Sequence, residues 1–227
     1  MAAGELIGYS QIRVNTKNNI VQRVKEMIGL DFLFYELLQN ADDAGSGANR
    51  ASEFIFRVND NEIIVENDTI FSKCEDLTAE CTWSSAESKP KSTKNCDFHA
   101  IVEISSKNKD ENQDYETRDI TDIPIGKFGV GFLSVYQVTS TPIIESNGIW
   151  LKFDPDQKQD VIWRKSNVEK KTKITLPRIA ELKNNWTSKI NLASELRNPE
   201  AIVLKIAQAA HEPLKFLRHV NNIKIYR

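Results

Sequence analysis

Apolar residues recur along this chain at two spacings, and each spacing predicts its own kind of element. Between Asn15 and Leu30, Ile20 or Val21, Val24 and Ile28 fall on one face at helical intervals, and Gly29 sits where such a helix would stop. A second helix is predicted directly after it, over DFLFYELLQNADDAG, with Asp31 as its N-cap and Gly45 as its stop. The pattern then shortens to strand-like runs. SEFIFRV and EIIVEN predict two strands joined by a hairpin turn at Asn59-Asp60-Asn61. TPIIESNGIWLKFD predicts another hairpin, because Asn147-Gly148 suits a type I′ turn, where both central residues need positive φ. QDVIW and TKITLP predict further strands, the stretch from about Ser188 to His219 predicts helix, and NIKIYR predicts a last strand. From Ser84 to Asp122 the periodicity gives way to polar and charged residues around one short apolar island, FHAIVEI. A loop of that length in a compact domain is either functional, such as a lid, or disordered.

Composition narrows the function classes. The 227 residues suffice for one large domain or two small ones with a real core. A net charge of −2 gives no whole-chain attraction to nucleic acid or to a membrane surface, and no apolar run reaches membrane-spanning length. The N-terminus lacks the basic and apolar regions of a secretory signal. Three cysteines, an odd number, argue against a disulfide framework and for a reducing, intracellular compartment, cytoplasmic or nuclear. Cys74, Cys81, Cys96 and His99 contain a single compact pair, Cys96-x-x-His99, and no Cys-x-x-Cys, so the cysteines are read as intracellular thiols rather than zinc ligands. The basic run from Arg164 to Lys173 has no interleaved aromatics and is read as a solvated turn between strands; Trp83 and Trp163 are read as packing residues. The three histidines show no nucleophile–base pattern.

Two stretches carry candidate chemistry. In IGKFGVGFLSVYQVTS, Gly126, Gly129 and Gly131 precede a run that reads as helix, with Val130, Leu133 and Gln137 or Val138 at helical spacing. A glycine turn opening a helix leaves backbone N–H groups free to hold an anion, usually phosphate; it serves equally as a tight turn beneath a packed helix. The spacing is neither a P-loop nor a dinucleotide fingerprint, since Ser134 stands where the third glycine would be. In the second predicted helix, Glu36, Asn40 and Asp43 share one face at i, i+4 and i+7. Such a face is either a solvated helix end or part of a magnesium–nucleotide site, where Asn offers an oxygen to Mg²⁺ and Glu polarises a water.

Together and in this order, ELLQNADDAG and IGKFGVGFLSVYQVTS resemble the GHKL ATPases, the family of gyrase B subunits, heat-shock chaperones, sensor histidine kinases and MutL-type repair proteins. The glycine stretch is close to the chaperone version. QNADDAG is closer to the sacsin-type group, which PLKFLRHVNNIKIY also resembles, and the likeness runs from about Leu30 to Arg227. The resemblance implies an α+β, Bergerat-type two-layer sandwich over residues 1–227. Its mixed, mostly antiparallel sheet would be covered on one face by helices, with a long ATP lid at about residues 84–124. It implies ATP and Mg²⁺ as cofactors, Glu36 as the general base, Asn40 as the Mg²⁺ ligand and Asp43 as an acidic residue further along the same pocket wall. Asp68 matches the acceptor of the adenine amino group, and Thr172 the threonine that helps hold the adenine side. Gly126, Gly129 and Gly131 match glycines that approach the phosphates, with Lys127, Phe128, Val130 and Phe132 in the same nucleotide-binding stretch. The chain departs from the family pattern in three places: no glycine follows Asp68, Lys171 precedes Thr172 where glycine is usual, and the lid is longer than in the sacsin-type group.

The implied function is an ATP-binding and slowly hydrolysing module. Its lid closure, and homodimerisation on ATP binding, would regulate a larger chaperone-like or defence-related protein through downstream domains, this being its N-terminal part. The alternative is a nucleotide-sensing or scaffolding module without useful turnover. Glu36 speaks for the first, since binding alone needs no base.

Overall fold

Phe54, Phe56 and Val58 alternate with half-buried residues along β1 (Glu53–Val58), so one face of that strand is sealed against an apolar layer. The computed structural model describes residues 16–25, 28–45, 49–77, 81, 96–103, 131–156, 161–178, 186–192 and 194–227. Beside β1, the other strands are β2 (Glu62–Asn67), β3 (Ile143–Ser146), β4 (Ile149–Phe153), β5 (Val161–Lys165), β6 (Thr172–Pro177) and β7 (Asn222–Tyr226). The fold is α+β, and the strands form one seven-stranded sheet in the order β5-β4-β3-β6-β2-β1-β7. Neighbours run antiparallel except β1 and β7, which are parallel.

Directly opposed residues of an antiparallel pair share a face. The pairings Phe56↔Val65, Val65↔Ile174, Ile174↔Ile144 and Ile144↔Leu151 therefore draw one apolar row across five strands. Against this face lie α1 (Thr16–Val24), α2 (Leu30–Asp42) and α4 (Pro199–Ala209), with a buried 3₁₀ segment, Gly131–Gln137, beside α2. Phe34 of α2 is fully buried, edge-on to Phe54 at 5.8 Å and to Phe56 at 5.6 Å. The other face of the sheet is half-exposed and charged. Lys171 and Arg57 pair with Glu66, and Lys173 pairs with Glu145 at 3.2 Å. Two lysines of the basic run, Lys171 and Lys173, are thus paired with carboxylates of the sheet, and Arg164 lies over the Trp150 ring at 5.1 Å.

The strands expected from the sequence are all present, and the Asn147-Gly148 turn has φ of 48° and 74° at its two central residues, as type I′ requires. The helices differ more. The first ends at Val24, short of Gly29. The second begins at Leu30, with Gly29 at the N-cap position and Asp31 in its first turn making no cap, and it ends at Asp42 rather than Gly45. The expected helix from 188 to 219 is a single α-helix flanked by 3₁₀ turns. Pro199 forces this boundary, since the residue before a proline avoids helical backbone. Asn198 there accepts the N–H of Glu200 at 3.0 Å and of Ala201 at 3.2 Å as N-cap. The segment read as one long loop contains a helix, α3 (Asp97–Glu103), at its apolar island. Phe98 anchors α3, fully buried and packed edge-on against Phe71 and Trp163, so Trp163 is a packing residue as expected. Trp83 and the remainder of 84–124 lie outside the described residues. Among the described residues no helix is long and apolar enough to cross a membrane.

Candidate functional site

The two chemistry-bearing stretches meet at one point. Gly131 packs its backbone against the carboxylate of Glu36: a Cβ built on it would collide with Oε2 and lie 3.1 Å from Cδ. Only glycine fits there without displacing Glu36. The run that follows is a 3₁₀ helix rather than the α-helix its spacing predicts, and Phe132 to Gln137 are all buried. A segment enclosed on every side needs no apolar stripe, which is why helical periodicity misread it. Gln137 accepts the Gly29 N–H through Oε1 at 2.7 Å, so this segment fixes the entry to α2 and with it the position of Glu36. Gly126, Lys127, Phe128, Gly129 and Val130 lie outside the described residues.

Glu36 is half-buried, and burial raises its carboxyl pKa above the ordinary value. Asn40, one turn on, is exposed. Asp43 is the C-cap position of α2, its N–H returning to Gln39 O at 2.9 Å. These three line one face, as the helical spacing requires.

Across from α2, the apolar row of the sheet ends in polar residues. Asn67, Thr172 and Ser146 stand opposite one another on β2, β6 and β3, on the helix-covered face, and all three are buried. Ser146 Oγ and Thr172 Oγ1 share a hydrogen bond of 2.9 Å, Thr172 Oγ1 donates to Thr69 O at 3.0 Å, and Asn67 Oδ1 accepts the Thr69 N–H at 3.2 Å. Thr69 Oγ1 donates to Asn49 O at 2.9 Å, next to the loop that leaves α2. Thr172 is the first residue of β6 and is buried on the helix-covered face.

Asp68 is not part of this row. Alternation puts it on the other face, exposed. Its carboxylate accepts the N–H of Ser52 at 2.8 Å, the N–H of Glu53 at 3.0 Å and Ser52 Oγ at 2.5 Å, which fixes the start of β1. Desolvation alone would raise its pKa; the hydrogen bonds from Ser52 and Glu53 outweigh that and hold it below the ordinary value. The neighbour that faces the helices is Asn67.

The profile of the Sacsin domain family matches residues 17–198, which takes in α1, α2, both polar stretches and the whole sheet up to α4 except β7. The chain belongs to the sacsin-domain family. Sacsin of Homo sapiens is 32% identical over 135 residues; that match covers 59% of this chain and 3% of the human protein. The chain thus spans a small part of the length of that relative.

Within this sacsin domain, sequence reasoning missed two things. Asn67 is the helix-facing residue at the end of β2, as the two-residue period from Ile63 and Val65 requires, whereas the resemblance points to its neighbour Asp68. Asp42 is fully buried and accepts the N–H groups of Arg218, His219 and Val220, tying the end of α2 to the approach to β7. Of the adjacent aspartates in QNADDAG, one is structural and the other lies on the Glu36 face.

Proposed function

We propose that this sacsin domain binds MgATP between α2 and the polar end of the sheet and hydrolyses it slowly, in the manner of the GHKL ATPases it resembles. The observation that carries the reading is the close approach of Gly131 to the Glu36 carboxylate, which joins the glycine stretch to the candidate base. Glu36 orients and deprotonates the attacking water; its raised pKa brings it toward the range where a general base is effective. Asn40, exposed one turn away, would hold Mg²⁺ as a hard oxygen donor beside water and phosphate, and the ion when bound offsets phosphate charge. Residues 126–131 would follow the phosphates with their backbone, and the parts of 84–124 on either side of the anchored helix α3 would act as the lid. In this reading ATP favours a homodimer and closure acts on further domains of a longer protein. A second reading, nucleotide sensing without turnover, is favoured by the missing glycine after Asp68.

For the adenine end, this reading favours Asn67 with Thr172 over Asp68, because Asn67 is buried on the helix-covered face whereas Asp68 is exposed on the other. The Asn67 amide oxygen accepts one hydrogen bond from Thr69 and has capacity for a second, from the adenine amino group. Asn67→Ala is expected to weaken ATP binding by about 1–3 kcal/mol and to erase discrimination between ATP and GTP. Asp68→Ala is expected to leave affinity unchanged while loosening the start of β1. Competition against a fluorescent nucleotide checks both; the opposite ranking would return the adenine contact to Asp68.

A further inference from the structure

All three cysteines of the chain converge on one histidine, at a point the nucleotide reading does not use. Cys74 and Cys81 come from the segment after β2; Cys96 and His99 sit one turn apart at the start of α3. The Cys74 and Cys81 sulfurs are 3.3 Å apart, those of Cys74 and Cys96 3.6 Å apart, and Cys96 Sγ lies 3.0 Å from His99 Nδ1. The four ligand atoms all fall within 4.8 Å of one another. A tetrahedral zinc with bonds of about 2.3 Å to sulfur and about 2.0 Å to nitrogen has donor–donor separations of about 3.5–3.8 Å, so small side-chain adjustments, opening the shortest pairs, accommodate the ion. Sequence spacing hid the set because the ligands stand far apart along the chain and only folding brings them together.

We propose that Cys74, Cys81, Cys96 and His99 form a structural Zn²⁺ site of Cys₃His type that clamps the segment after β2 onto α3. Three thiolates and an imidazole in a closed, largely buried tetrahedron suit Zn²⁺ over harder divalent ions. The surroundings hold the donors in place. The Cys96 N–H points at Cys81 Sγ at 3.3 Å, the kind of outer contact that steadies a metal-bound thiolate. Asp97 accepts the N–H and hydroxyl of Ser72, each at 2.7 Å, and its own N–H donates to Ser72 Oγ at 3.0 Å. That pins the start of α3 beside Cys74, and Phe98 between the two ligands of α3 is locked against Phe71 and Trp163. A disulfide between Cys74 and Cys81 would employ neither Cys96 nor the imidazole.

The test is metal content of the 227-residue protein purified without chelators, with and without substitution. About one zinc per chain is expected in wild type. Cys74→Ser and Cys96→Ser are expected to lose it, whereas His99→Cys keeps four donors and retains it. Replacing the ion by Co²⁺ should give sulfur-to-cobalt charge-transfer bands that strengthen in His99→Cys. The wild-type measurement and His99→Cys decide the matter even if the serine variants fail to fold. Substoichiometric zinc together with no cobalt–thiolate band in the reduced protein overturns the proposal, as does a Cys74–Cys81 disulfide in protein alkylated at lysis.

Discussion

Asp42→Ala is expected to destabilise the domain by about 3–5 kcal/mol. The side chain is wholly buried at the end of α2. Its Oδ1 accepts from the N–H groups of His219 and Val220 at 2.8 Å each, and its Oδ2 from Arg218 at 2.9 Å. Alanine leaves these N–H donors facing a void, and the stretch that delivers β7 to the edge of the sheet loses its anchor. For a chain of this length the melting temperature should fall by about 6–20 °C, at about 2–4 °C per kcal/mol. Asp42→Asn, which keeps one acceptor oxygen, should lose less. Urea titration of the three proteins is the check, and a loss below about 1 kcal/mol for alanine would mean that the anchor is not made in solution.

Glu36→Gln is expected to lower phosphate release by about 100- to 10,000-fold with MgATP affinity nearly kept. The amide preserves shape and contact with Gly131 but cannot take a proton from water. The same variant carries a second, independent signature. Because burial raises the Glu36 pKa in the folded state, the native chain binds its proton more tightly than the unfolded chain does. Wild type then loses stability as pH rises from the unfolded value, near 4.5, through the raised folded value, and the glutamine variant does not. Glutamine should therefore melt higher than wild type at neutral pH, with the difference vanishing below the unfolded pKa. Turnover equal to wild type would remove Glu36 from the chemistry. A stability difference independent of pH would mean that its carboxyl does not titrate as the fold requires.

How far the sequence could be read depended on whether each feature was local. Alternation marked β1 because one of its faces meets an apolar layer, the β-branched run Ile63 to Val65 marked β2, and Asn147-Gly148 marked its hairpin because the turn chemistry is contained in two residues. The Glu36 face followed from helical spacing alone. The short first helix and the 3₁₀ run after Gly131 were not legible, since their boundaries answer to packing rather than to periodicity; the break in the C-terminal helix was legible in Pro199, a signal that periodicity alone overlooks. Asp42 could not be distinguished from Asp43 without knowing that residues 218–220 return to the end of α2. Which residue faces the helices was within reach: one step of two on from Ile63 and Val65 gives Asn67 and puts Asp68 on the opposite face. The Cys₃His cluster was out of reach, because nothing in the spacing of Cys74, Cys81 and Cys96 says that α3 folds back beside the segment after β2.

The central claim is a nucleotide site between α2 and the row Asn67–Thr172–Ser146. Titration calorimetry of the 227-residue protein with ATP, with and without Mg²⁺, tests it most directly. The account predicts saturable binding of one MgATP per chain, weakened when Mg²⁺ is chelated or Asn40 is replaced by alanine. No saturable heat at millimolar MgATP, in protein whose cooperative unfolding shows it to be native, would contradict it.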